Sequence, residues 1–251
     1  MRSVLVLFVL LAGSAAASAQ RLDASPSCEV ESDWEFHLRE RSLILLRDAG
    51  ETPSRLVLRQ GRLFAEDAWV PLSAADRRRL AEYEREARAA VPLVRDIAAS
   101  ASGIALGVLA ELSIGFGADP AQARADAEAM RARIDRRLQA ALRPERFAPG
   151  ELGEALGQSL REALPSAIGD IVRATATAVL SGDAGRLRRL ERLDAEIDAR
   201  IRPRAEALER DAQALCVRMR RLDALEDALD YRTPDGARLD LLRVRDAEAS
   251  N

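Results

Sequence analysis

From Trp34 to Leu72 apolar and polar positions alternate with a period of two. Trp34, Phe36 and Leu38 fall on one face, and Glu35, His37 and Arg39 on the other, which is the pattern of a half-buried strand. Short apolar runs follow at Leu43–Leu46, Leu56–Leu58, Leu63–Phe64 and Trp69–Leu72. Between them stand Gly50-Glu51-Thr52-Pro53, Gln60-Gly61 and Glu66-Asp67. Those breaks have the length of tight turns, and Gly61 can take the positive φ that a two-residue hairpin needs. The segment predicts a small antiparallel meander. It is too small to bury enough surface by itself, so it must pack on helices.

Past Leu72 the texture changes to Ala, Arg, Glu and Leu at helical spacing. Ser73 is placed to cap the first helix, with Asp76 three residues on to suit the helix dipole. Leu80, Tyr83, Ala87 and Val91 form one stripe, Pro92 follows, and the helix should run to about Ile114 before Gly115-Phe116-Gly117. A second helix is expected from Pro120 to about Leu142, ahead of Pro144. A third is expected from Gly150 to Leu180, interrupted near Pro165. The last should run from Asp183 to about Leu229, bent by Pro203, with Leu190, Leu193, Ile197, Ile201, Leu208, Leu215, Met219, Leu222 and Leu229 close to one face. The tail holds a Pro234-Asp235-Gly236 turn and a short alternating stretch, Leu239 to Val244, that reads as one more strand; Asp246 to Asn251 should be disordered. The expected fold class is α+β, mostly α. A small N-terminal antiparallel β-meander (20–72) packs on an elongated helical bundle or long helical hairpin (73–230), and a partly disordered tail (231–251) follows.

The first residues change the picture of where this fold works. Arg2, the apolar run Val4 to Ala12 and the small residues Gly13 to Ala19 follow the order of a secretory signal, with cleavage expected before Gln20. The run is about half the roughly 20 residues that a membrane-crossing helix needs. No transmembrane span is expected after cleavage. Removing Arg2 shifts the formal net charge from −3 to about −4. Arginine-rich spots such as Arg77-Arg78-Arg79 are followed closely by acids, so nucleic acid is not an expected partner.

Two cysteines are present, Cys28 and Cys216. An even pair in an exported chain reads as a disulfide. It would staple the N-terminal segment onto the last helix, for about 5 kcal/mol as an upper figure in the chain-entropy model. A reactive thiol pair would want the Cys-X-X-Cys spacing, which is missing.

Candidate chemistry is thin. The single His37 sits on the expected wet face of a strand, which leaves no base for a nucleophilic triad and no second His for zinc. No metal and no cofactor are expected. Most carboxylates have an Arg three or four residues away, as Glu84 has Arg88 and Glu206 has Arg210, which is the look of a solvated helix face. Glu111 differs because it interrupts an apolar stretch, Gly103 to Phe116. That stretch, with Ile104, Gly107, Val108, Leu109, Leu112 and Phe116, is apolar nearly all round. Enclosure by neighbouring helices is the ordinary fate of such a segment; contact with a membrane surface or a hydrophobic client is the alternative, and Glu111 is expected at its rim.

Several of these residues together resemble the YggN-like periplasmic proteins. They are a Cys shortly after the signal, a meander ending in Leu72-Ser73-Ala74-Ala75, the stretch Arg77 to Pro92 with Tyr83-Glu84 and Arg88, and a late Cys216-Val217-Arg218. The resemblance is strongest from Leu56 to Pro92. Gln60-Gly61 and Glu66-Asp67 stand where that family tends to have Asp-Gly and Asn-Gly turns. It implies a Gram-negative periplasm and carries no catalytic residues, because the family is a domain of unknown function.

These readings point to a non-catalytic periplasmic envelope protein that binds an envelope protein or the membrane surface through its long helices, in a chaperone-like or assembly role. Two alternatives stand beside it. One is an enzyme acting on envelope polymers through carboxylates, which requires a pocket with two converging acids not paired with Arg. The other is a structural protein that only associates with copies of itself as a homo-oligomer.

Overall fold

A computed structural model describes residues 28–48, 50–115, 118–143, 146–147, 184–234 and 236–246. The signal segment, the helix expected over 150–180, Phe116 and the tail from residue 247 lie outside the described residues. The chain divides into two compact units, and both long helices contribute to each. One unit comprises 1–93, 143–149 and 211–251; the other comprises 94–142 and 150–210.

The first unit holds the meander: β2 (Glu35–Arg39), β3 (Ser42–Leu46), β4 (Arg55–Arg59), β5 (Arg62–Ala65) and β6 (Ala68–Trp69), each antiparallel to the next. Alternation works as read, for Leu38, Leu43, Leu45, Leu56, Leu58 and Leu63 are all buried on one face. His37 departs from expectation: its side chain is 18% exposed, half-buried, with Nε2 3.3 Å from a carboxylate oxygen of Glu35. Between Arg59 and its partner Arg62, Gln60 and Gly61 take φ of 53° and 73°. Both central residues are therefore left-handed, as the tightest hairpins require. Gly61 is needed for a second reason: a Cβ there would run into the carbonyl oxygen of Arg77.

The sheet is larger than a meander. Arg146–Phe147 (β8) pairs with β2 at Leu38, giving the order β6-β5-β4-β3-β2-β8-β7, where β7 is Leu142–Arg143. A two-residue strand carries too short a pattern to be read from sequence. The alternating tail does form a strand, β9 (Arg243–Arg245), but it does not join the meander. It pairs with β1 (Glu29–Glu31) in a separate two-stranded sheet. Cys28 beside β1 is bonded to Cys216, with Cα atoms 6.0 Å apart, within the usual span of a disulfide.

Helix α1 spans Ala74–Gly115, α2 Pro120–Ala141 and α3 Ala184–Asp227. Ser73 caps α1 as expected, its Oγ accepting from the Asp76 N–H at 3.0 Å. Asp119 caps α2, accepting from Gln122 N–H at 2.8 Å ahead of Pro120 in the first turn. In the first unit, Leu80, Tyr83, Ala87 and Val91 of α1 are buried together with Cys216, Leu222 and Leu229 from α3 and beyond it, and with Leu239, Leu241 and Leu242 of the tail. Among the described residues of the second unit the buried apolar ones are Leu106, Ala110, Ile134, Leu138, Ala141, Leu142 and Ile201.

Candidate functional site

Two groups of polar residues stand out, one in each unit. In the first unit three acids are buried: Asp76, Glu84 and Glu226. Each accepts backbone N–H groups that the local fold leaves open. Glu84 takes those of Gln60 at 3.1 Å and Gly61 at 2.9 Å, so it holds the hairpin tip against α1. This corrects its reading as one half of a surface pair with Arg88, whose guanidinium instead donates to the Ser42 carbonyl at 3.2 Å. Asp76 accepts from the Asp230 N–H at 3.1 Å and from Arg79 at 2.9 Å. Glu226 accepts from the N–H groups of Leu241 at 2.8 Å and Leu242 at 3.0 Å, which anchors the tail.

Burial opposes ionisation at these sites. It pushes Glu226 up to about 9, helped by the negative charges of Asp240 and Asp223 and opposed by the two N–H groups. Glu84 is also raised by burial, against the pull of its own two N–H donors. The second oxygen of Glu226 and the hydroxyl of Tyr83 are buried without a hydrogen-bond partner. This cluster is architectural, because it faces backbone and core rather than a cleft.

The second unit contains a cavity of about 330 Å³ between α1, α2 and α3. That is at the low end of the roughly 300–1,000 Å³ usual for small-molecule sites. Its floor is apolar, with Ile104, Leu106, Ile197 and Ile201, and among the described residues its rim carries Arg124, Arg131, Arg200 and Arg204 against Glu111 and Glu128. Glu111 is 16% exposed and is held by Arg124 at 3.5 Å and by Arg200. Among the described lining residues Glu128 is the one other acid, so they do not supply the two unpaired acids that the polymer-cleaving alternative requires.

Of the residues singled out in the sequence, the cavity brings together Ile104, Gly107 and Glu111. Val108, Leu109 and Leu112 lie on α1 outside the lining and are half-buried. Among the described residues this stretch is mostly half-buried rather than fully buried. Between Asp96 and Gly115 only Leu106 and Ala110 are buried. An 18-residue stretch of α1 is long and apolar enough to cross a membrane by length and composition, yet only 11% of it is buried. No group of three or more metal-ligating side chains occurs among the described residues.

A family model described as a protein of unknown function (DUF2884) matches residues 28–242, from the bonded Cys28 to Leu242 on Glu226. The chain belongs to this family. That agrees with the resemblance carried by Leu56 to Pro92. No curated protein and no solved structure matches the chain. The DUF2884 match spans all described helices and strands up to Leu242, so the disulfide, the three buried acids and the arginine-rimmed cavity all lie within the family's domain.

Proposed function

We propose that this DUF2884 protein is exported to the periplasm and acts there by binding rather than catalysis, with the apolar C-terminal part of α1 as its contact surface. The observation that carries the reading is the incomplete burial of that stretch: in a segment apolar enough to cross a bilayer 11% of the residues are fully buried and most of the others are half-buried. Apolar surface that a fold covers only partly can serve a partner, a ligand or a membrane. The bonded pair Cys28 and Cys216 supports an oxidising compartment, where such bridges persist. The pairing of Glu111 with two arginines weighs against a carboxylate enzyme.

The test is site-specific photocrosslinking from position 109 in the periplasm. The reading predicts crosslinks to an envelope protein or to lipid that disappear when Gly107→Arg or Leu112→Asp is added while the melting temperature stays the same. Crosslinks that neither change affects would remove this face as the contact. Light scattering on the purified mature chain separates out self-association. A monomer agrees with a foreign partner, and an oligomer dissolved by Leu109→Asp would instead assign the surface to a second copy.

A further inference from the structure

The cavity in the second unit has a charge pattern that the apolar contact reading does not use. Arg124 and Arg200 are both occupied by Glu111. Arg131 and Arg204 have no ion-pair or hydrogen-bond partner among the described residues. They come from different helices, α2 and α3, and both reach the same notch in α1. A Cβ built on Gly103 would lie 3.6 Å from the Arg131 guanidinium, and one built on Gly107 would lie 3.9 Å from that of Arg204. Residues four apart on a helix are stacked on one face, about 5–6 Å from each other. Two free guanidiniums therefore lie over a single turn of α1 where the helix carries no side chain.

Below them the floor is the branched apolar surface of Ile104, Leu106, Ile197 and Ile201. Free guanidinium beside desolvating apolar walls binds carboxylate or phosphate oxygens well, since its fork of donors matches their geometry and it sheds water easily. A purely polar anion gains nothing from the floor. A neutral apolar molecule gains nothing from the arginines.

We infer that this notch binds the anionic headgroup of a single-chain amphiphile, a fatty acid or a lysolipid, whose chain lies on the floor of the cavity. The inference rests on the reading of α1 as a contact surface and names the chemistry of its occupant. Arg131 and Arg204 hold the headgroup oxygens. Gly103 and Gly107 provide the room for them, and Glu111 keeps Arg124 and Arg200 turned toward itself, so the rim does not over-attract small anions.

Calorimetric titration of the mature protein with dodecanoate, with uncharged dodecanol and with inorganic phosphate tests this. Dodecanoate should bind one to one and at least about tenfold more tightly than dodecanol, the equivalent of one charge-assisted hydrogen bond. The double change Arg131→Ala and Arg204→Ala, at two exposed positions, should remove that advantage and leave dodecanol unchanged. Gly107→Leu keeps both guanidiniums but fills the notch, and should weaken both amphiphiles. Equal affinity for dodecanoate and dodecanol overturns the headgroup assignment and leaves the apolar contact intact. Phosphate competing as well as dodecanoate would make this a plain anion site and overturn the amphiphile. Binding of none of the three overturns the inference. Failure of the contact reading itself shows separately, as crosslinks from position 109 that Leu112→Asp leaves in place.

Discussion

The two units bury their polar groups for opposite ends. In the first, buried acids accept backbone N–H groups, so Glu84 closes a hairpin and Glu226 fastens the tail. In the second, the half-buried acid Glu111 faces arginines across a cavity, and large apolar side chains of α1 stay half-exposed. Among the described residues, the most completely buried side chains include Tyr83, Leu43, Leu45, Leu56, Leu58, Leu63, Leu80 and Leu241 in the first unit, against Leu138 and Leu142 in the second. Buried backbone acceptors and a dense apolar core make a scaffold, and half-covered apolar surface beside unpaired charge makes a place to bind.

Changes to the scaffold should therefore cost stability, and changes to the α1 stretch should cost binding. The largest effect is expected from Cys28→Ser. Opening a bridge that spans 188 residues of sequence removes up to about 5 kcal/mol in the chain-entropy model, read by guanidinium denaturation of oxidised and mutant protein. A loss below about 1 kcal/mol would mean the unfolded chain is already held together in another way. Gly61→Val comes next. It places a β-branched side chain at φ 73° against the Arg77 carbonyl, for a loss of roughly 2–4 kcal/mol by the same measurement.

Glu226 supplies the third. Its pKa in the fold is about 9, above its ordinary value of 4.5, so the folded state keeps a proton that the unfolded chain releases. The stability it contributes is complete below about pH 4.5 and drains away as pH climbs toward 9. Glu84 and Asp223 are raised in the same direction, which adds to the trend. The melting temperature should fall by several degrees from pH 5 to pH 9, and Glu226→Gln should flatten that fall. A variant with the same pH dependence as the parent would place the titration elsewhere. The smallest effect on stability is Leu109→Asp, expected within about 0.5 kcal/mol because the site is half-exposed.

Periodicity made most of the scaffold legible. The strands, the Gln60-Gly61 hairpin, the cap at Ser73 and the ends of α2 follow from local chemistry, and the cysteine pair follows from an even count in an exported chain; the cap at Asp119 came only with the structure. Glu84 was hidden by its own neighbour. An acid four residues before an arginine is the mark of a solvated pair, and only the docking of the hairpin on α1 shows that two N–H groups need it more. Glu226 was hidden likewise, since the tail it anchors lies 15 residues further on. In the candidate site, Ile104, Gly107 and Glu111 were visible as a break in pattern. Arg131 and Arg204 were not, being two among many arginines until three helices bring them to Gly103 and Gly107. The apolar stretch reads as enclosed because hydrophobicity on all sides reports what a helix would prefer to cover, and among the described residues it is mostly half-buried.

Amide hydrogen exchange on the mature protein tests this division of labour most directly, because local opening tracks how much each region buries. Amides of β3 to β5, of α1 from Leu80 to Val91 and of α3 from Leu215 to Glu226 should exchange only through global unfolding. Those of α1 from Ile104 to Glu111 should exchange faster, and should slow when dodecanoate is added while the sheet stays unchanged. Protection over Ile104 to Glu111 equal to that of the sheet, and indifferent to dodecanoate, would contradict it.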